Sequence, residues 1–399
     1  MERGSSRYRN TDSQVIRTEA VLRTGFLGWK KKRVEVELKN GGFITAQGKG
    51  EEVLFEKSIS DHKVTEKGDM INLSLGSGRS LSFSGMNREQ FERLSGSLKA
   101  SSRLKLSDHY QIGELIGKGA YAKVYLGKDI DNNEDVAIKV MTKGGREAIA
   151  INDAIDREVE ILRRVEHPSI VTVLDVFETE YTAKIILEYM ESGSVFDLIR
   201  AQKNGRLKED MARYIFRQVL EGIEYLHGED IVHSDIKAEN VLLKGQYPSL
   251  TAKLADFGLS FKLPKGETKA VNAKTAKGTP EYFAPELVRN QSYDHSVDIW
   301  ACGVLLYVML GGTYPHHGDT QEKTKELVRQ NAAKIVFPAT HFVSVSKDAQ
   351  GFIRKMMTED RSKRPTATQC LQDSWIIDTG RHGLRINVFK NMMSGGSQA

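Results

Sequence analysis

The sequence predicts an α+β protein built from more than one unit, as its 399 residues allow. Three observations carry that expectation. Between Val15 and about Phe83, apolar residues alternate in short runs broken by Gly, Asn and Asp, the period of half-buried strands. Phe91, Leu94 and Leu98 then follow Asn87 at helical spacing. After a polar linker at 101–109 comes a longer region, 110–375, which mixes strand-like runs with the apolar segment 299–310. That segment is too short to span a bilayer and reads as a buried helix.

Composition narrows the class. An apolar share of 39% and a charged share of 28% are ordinary for a soluble globular protein. Cys302 and Cys370 are far apart and suggest packed thiols in a reducing compartment, not a disulfide framework or metal cluster. The first ten residues lack the apolar core of a secretory signal, so a cytosolic location is expected. Net charge is +5, and residues 1–105 hold 20 Lys and Arg against 13 Asp and Glu. The positive excess therefore lies wholly in the N-terminal quarter and points to an anionic partner for that part alone.

Residues 1–14 are polar and aperiodic, the pattern of a disordered terminus. Within 15–100, the runs Val34-Glu-Val-Glu-Leu38, Gly42-Phe-Ile-Thr-Ala46 and Asn72-Leu-Ser-Leu75 alternate, and Asn40-Gly41-Gly42 is a hairpin signal between two of them. Several strands closed by one helix suggest a small β-barrel or sandwich. The run 21–33, which ends Trp29-Lys-Lys-Lys-Arg33, resembles the first hairpin of a pleckstrin-homology (PH) domain. That family often has a Trp in its last helix, and Phe91 is the nearest equivalent here. The resemblance implies that Arg23, Lys31 and Arg33 could converge on an anionic lipid head group, since a period of two points residues 31 and 33 the same way. Recruitment by so small a patch would be weak and reversible. The bland alternative is a solvated hairpin.

The chemistry is carried by residues 231–240, Ile-Val-His-Ser-Asp-Ile-Lys-Ala-Glu-Asn, followed sixteen positions later by Asp256-Phe257-Gly258. A base beside the acceptor, a cation two positions on and two oxygen-bearing metal ligands are what phosphoryl transfer from a metal nucleotide needs. These motifs resemble the catalytic loop and metal-binding motif of a protein kinase. The resemblance implies a bilobal kinase fold, a small β-rich lobe before a large helical one, with ATP and Mg²⁺. It makes Asp235 the residue that takes or orients the acceptor hydroxyl proton and Lys237 the cation beside the transferring group. Asn240 and Asp256 become the Mg²⁺ ligands. Ser234 departs from the pattern, because the family usually has Arg there.

Further motifs extend the likeness over about two thirds of the chain. Ile116-Gly117-Lys118-Gly119-Ala120-Tyr121-Ala122-Lys123-Val124 is similar to the Gly-rich loop that folds over ATP phosphates, with Ala122 at the third glycine position. Lys139 of Val136-Ala-Ile-Lys139 would reach the phosphates and pair with Glu158, which shares a helix face with Ile155 and Leu162; Glu160 lies on another face. By the same resemblance Leu187 is the gatekeeper, the backbones of Glu188 and Met190 meet adenine, and Val124, Ala137 and Leu242 sandwich the ring. Leu162, Leu174, His233 and Phe257 would form an apolar column, which makes His233 structural.

Gly278-Thr279-Pro280-Glu281 and Lys237 resemble the Ser/Thr-specific version, in which Thr279 bonds Asp235 and Lys237. Protein Ser/Thr acceptors are expected, and nucleic acid is not. Thr275 aligns with the usual activating phosphosite, but Ser234 cannot supply the Arg on which that phosphate docks, so activity should depend little on Thr275. Glu239 matches a position that meets basic residues in substrates, while Ser194 and Val308 replace two other acidic positions. Asp298 should brace the catalytic loop, and Glu286 should pair with Arg364. Residues 278–286, 304–312 and 373–376 are similar to the Ca²⁺/calmodulin-dependent group. The tail 376–399 is basic and apolar over 384–393, but a frayed terminus or docking strand is expected there in preference to a calmodulin target. Ser234 also raises a rival, a pseudokinase scaffold, against which stand the six retained residues Lys139, Glu158, Asp235, Lys237, Asn240 and Asp256.

Overall fold

Alternating apolar residues make strands only where neighbours bury the same face, and at the N-terminus seven runs do so together. The computed structural model describes residues 16–24, 30–39, 43–47, 53–58, 64–76, 79–102, 105–119, 122–144, 149–179, 181–263, 271–272 and 278–377. β1 (Ile16–Thr24), β2 (Lys30–Lys39), β3 (Phe43–Gln47), β4 (Val53–Ser58), β5 (Val64–Lys67), β6 (Met70–Gly76) and β7 (Arg79–Ser84) form one sheet in the order β4-β3-β2-β1-β7-β6-β5. The first and last strands thus pair, and β4 and β5 are the edges. Ala20, Leu22, Val34, Val36, Leu38, Ile44, Ile71, Leu73 and Phe83 are all buried in one cluster.

The helix α1 (Arg88–Ser102) adds Phe91, Leu94 and Leu98 to that cluster. Its start is fixed by a reciprocal cap: the Gln90 amide donates to Asn87 Oδ1 at 2.9 Å and the Asn87 amide to Gln90 Oε1 at 3.0 Å. The Asn40-Gly41-Gly42 turn and residues 1–14 lie outside the described residues, although β2 and β3 pair antiparallel up to Lys39 opposite Phe43.

The chain divides into two compact units, residues 1–164 with 172–189, and residues 165–171 with 190–399. The first also contains a five-stranded sheet, β8 (Tyr110–Lys118), β9 (Ala122–Asp129), β10 (Asp135–Thr142), β11 (Val173–Glu178) and β12 (Thr182–Glu188), in the order β11-β12-β10-β9-β8. Val136 and Ile138 of β10 are buried with Tyr110, Phe177 and Ile186, so alternation sends Ala137 and Lys139 to the opposite face. The helix α2 (Ile149–Arg164) buries Ile155, Val159 and Leu162 along one stripe.

The second unit is mainly helical. Its Ser296–Gly311 helix is buried at every residue from Val297 to Gly311, which explains its apolar sequence without a membrane. Among the described residues, no helix is long and apolar enough to cross one. The helix ends at Gly312, where φ is +67° and an added Cβ would lie 2.3 Å from the Gly205 carbonyl oxygen. Cys302 and Cys370 are buried, and burial pushes the Cys370 thiol up to about 12 and the Cys302 thiol well above its ordinary value.

The buried Arg364 guanidinium holds Glu286 through two bonds of 2.5 and 2.7 Å and also donates to the carbonyls of Thr358, Ser296 and Glu359. It lies over the Trp300 ring at 5.1 Å. Removing one partner leaves a charge buried without compensation. Arg364→Ala should therefore lose about 3–5 kcal/mol of stability, read as a lower urea midpoint; a change under about 1 kcal/mol would show that the pair is not structural.

Candidate active site

The functional candidates fall into two sets, one in each unit. In the first, the β8–β9 hairpin aligns Gly117 with Val124 and Lys118 with Lys123, and the Gly119 amide closes its end on the Ala122 carbonyl at 2.8 Å. Ile116 is exposed at an irregularity in the pairing between Leu115 and Gly117. Ala120 and Tyr121 lie outside the described residues. Two exposed lysines opposed across a hairpin repel each other, and a polyphosphate would relieve that repulsion.

Register continues the row inward. Val124 stands opposite Lys139, and Ala137 lies between Leu126 and Leu187. Lys139 Nζ is 2.5 Å from Glu158 Oε1 of α2, while Glu160 is exposed and pairs with Arg164. At the end of β12, the Glu188 amide donates to the Thr172 carbonyl at 3.0 Å, and its carboxylate accepts from the Thr172 amide at 2.7 Å.

In the second unit, Asp235 Oδ2 accepts from Lys237 Nζ and from Asn240 Nδ2, both at 2.8 Å. The same Asn240 nitrogen donates to the Asp235 carbonyl at 2.8 Å, and Lys237 Nζ reaches Thr279 Oγ1 at 3.3 Å. Gly278 comes close enough that an added Cβ would sit 3.3 Å from Asp235 Oδ1, and its φ of +128° suits only glycine. The loop is held from below by Asp298, which accepts the amides of His233 and Ser234 at 2.9 Å each and a bond from His227 Nε2 at 3.0 Å. Burial alone would push the Asp298 carboxyl up, but the His227 bond and the His233 amide outweigh it and hold the group below the usual Asp range.

His233 is fully buried and packs against Phe257 with ring centroids 4.9 Å apart and the planes tilted by 51°. Burial lowers its pKa. Its Nδ1 accepts from the Asp235 amide at 3.3 Å, so the neutral ring donates from Nε2 to the Ala255 carbonyl at 3.2 Å. With both nitrogens engaged, His233 is a strut. Ser234 adopts φ +66°, and its Oγ is buried without a hydrogen-bond partner.

The Ala255 amide donates to the Asn240 carbonyl at 2.9 Å, which joins the two metal-ligand segments, and Asp256 follows with φ +62°. Asn240 spends its amide nitrogen on Asp235, leaving a hard oxygen donor to match the Asp256 carboxylate. Two such oxygens suit Mg²⁺, whose shell is ordinarily completed by phosphate and water. Among the described residues no group of three or more His, Cys, Asp or Glu could hold a metal alone.

Leu242 is half-buried in the Val241–Lys244 strand between buried Val241 and Leu243, and Met190 is buried. Glu239 is exposed between buried Ala238 and Asn240. Ser194 caps the Val195–Ala201 helix, and Val308 is buried inside the Ser296–Gly311 helix. Thr275 and the segment 378–399 lie outside the described residues, as do the side chains of Arg23 and Lys31. Sequence reasoning gave His227 no role; it lies 71 positions from Asp298, and only helix packing joins them.

Residues 110–376 match the model of the protein kinase domain. A probable myosin light chain kinase of Dictyostelium discoideum is 34% identical over 275 residues, which cover 69% of this chain and 76% of that protein. Death-associated protein kinase 2 of Mus musculus is 36% identical over 291 residues, 71% of this chain and 76% of the relative. The SNF1-related protein kinase catalytic subunit alpha KIN12 of Arabidopsis thaliana is 36% identical over 267 residues, 67% of this chain and about half (51%) of the plant protein. The chain belongs to the protein kinase family, as a serine/threonine kinase that uses ATP and Mg²⁺.

Proposed function

We propose that the protein transfers the γ-phosphoryl group of ATP to Ser or Thr hydroxyls of protein substrates, with Asp235 as the base. The junction of Asp235, Lys237, Asn240 and Thr279 carries this reading. Lys237 and Asn240 both bind Oδ2 of Asp235, which orients the carboxylate so that its other oxygen can take the acceptor proton. The new bond from the acceptor oxygen to phosphorus forms as the bond to the β-phosphate oxygen breaks, the proton passes to Asp235, and ADP leaves. Lys237 offsets negative charge developing beside Asp235, and Lys139 is the phosphate anchor that the kinase resemblance implies. Mg²⁺, held by Asn240 and Asp256, would neutralise phosphate charge.

The finer reading places the enzyme near the Ca²⁺/calmodulin-dependent group, and the names of the Dictyostelium and mouse relatives support it. A strong demand for arginine before the phosphosite is not part of it. Of the three acidic positions used for that purpose only Glu239 is acidic here, while Ser194 serves as a helix cap and Val308 as core.

Activity is also proposed to depend little on Thr275. Ser234 offers no cation for a phosphate, and its amide is already bound by Asp298. The N-terminal sheet and helix are read as a PH-like module for an anionic head group. Support comes from register, which sets Arg23 opposite Lys31 and Arg33 two positions along the same strand.

Three measurements test these readings. Mg-ATP-dependent labelling of a generic basic protein should vanish in Asp235→Asn; labelling that persists there would refute the base. Thr275→Ala should keep turnover within about 100-fold of the parent, and a larger loss would refute phosphate independence. The full chain should sediment with vesicles carrying phosphoinositide more than with neutral vesicles. Arg23→Glu with Lys31→Glu should remove the difference, and equal sedimentation on both vesicles would reject the lipid reading.

A further inference from the structure

Whether Lys139 finds a carboxylate depends on where α2 sits against β10. Contacts of α2 with β10 and the two residues that follow it form a ladder that runs in opposite directions along the two segments. Lys139 meets Glu158 at 2.5 Å, and Lys143 Nζ meets Asp156 Oδ1 at 2.8 Å. Gly144 then exchanges two bonds with the Asn152 side chain, at 3.0 Å through its amide and 3.1 Å through its carbonyl.

The middle rung is unlike an ordinary surface pair. The Lys143 side chain is 7% exposed and lies 2.5 Å from Glu178 Oε1 of β11, a carboxylate only 2% exposed. Burial works against the Lys143 charge, but Glu178 and Asp156 more than restore it and raise its pKa, so the ammonium is kept at any working pH. Glu178 alone would balance that charge. Asp156, 42% exposed, is therefore not needed for neutrality, and what it adds is a tie between helix and sheet. The pattern was open to sequence reading: residues 139 and 143 are four apart, an even spacing that puts both ammonium groups on one side of an extended chain.

We infer that Lys143 is a positioning residue for the phosphate-anchoring pair. Seated on Glu178, it holds Asp156 and so fixes α2 in the register at which Glu158 meets Lys139. The helix is thereby docked by its own sheet, with no phosphate on the activation segment required. This rests on the kinase assignment and adds to it a part of the machinery outside the nucleotide site.

The test uses the full chain. Asp156→Ala leaves the Lys143–Glu178 pair intact, and alanine suits an exposed helix position. It should raise the KM for ATP by roughly 3- to 10-fold while kcat and the urea midpoint stay near the parent values, and Asp156→Glu should restore the KM. In a Glu158→Gln background Asp156→Ala should have little further effect, because the pair it positions is already broken. Equal losses in both backgrounds, or an unchanged KM in Asp156→Ala, would overturn the inference. A Lys143→Met, Glu178→Met double variant removes both buried charges at similar volume and should reproduce the KM shift if it folds to the parent's midpoint. Absence of phosphoryl transfer in the parent protein would overturn the kinase assignment itself, an outcome distinct from parent activity with an unmoved KM.

Discussion

The catalytic loop keeps its shape because one buried carboxylate accepts from three donors. Asp298 sits in the first turn of the apolar Ser296–Gly311 helix and binds two successive loop amides and the His227 ring. A positive φ at Ser234 is costly for a residue with a side chain, and the Asp298 bond to its amide is what offsets it. From that bend the chain delivers Asp235 to Lys237 and Asn240. Without the carboxylate, two buried amides would lose their acceptor and the base its aim. Stability and chemistry therefore share an anchor that touches no substrate.

The first unit solves a different problem, that of burying cations. Lys139 and Lys143 both leave water, and each does so beside a buried glutamate supplied by another element. Such pairs rarely add much net stability, since desolvation consumes most of the attraction. What they add is direction. A misplaced α2 would strand the Lys139 ammonium without its glutamate, which makes the alternative placements expensive.

Legibility followed chain distance. The Gly-rich hairpin, the Lys139 strand and the loop around Asp235 could be read because their chemistry depends on residues a few positions apart. The helix after Asn87 was equally plain, since an apolar stripe and a cap are local signals. The β5 strand, Val-Thr-Glu-Lys, has a single apolar residue and is a strand only because β6 pairs with it. His227 gave no sign of its tie to Asp298, and nothing local in the sequence marks the left-handed backbone at Ser234. Lys143 was not singled out, because its meaning depends on Glu178, 35 positions away.

The two thiols bear on how this enzyme meets oxidants. Nucleophilic sulfur chemistry needs the thiolate, and burial keeps both Cys302 and Cys370 protonated far above neutral pH. Peroxide and disulfide exchange therefore find no ready thiolate at Cys302 or Cys370 in the folded protein. Reactivity of these two thiols becomes a property of the opened chain, and their alkylation can serve as a clock for how often the helical unit comes apart.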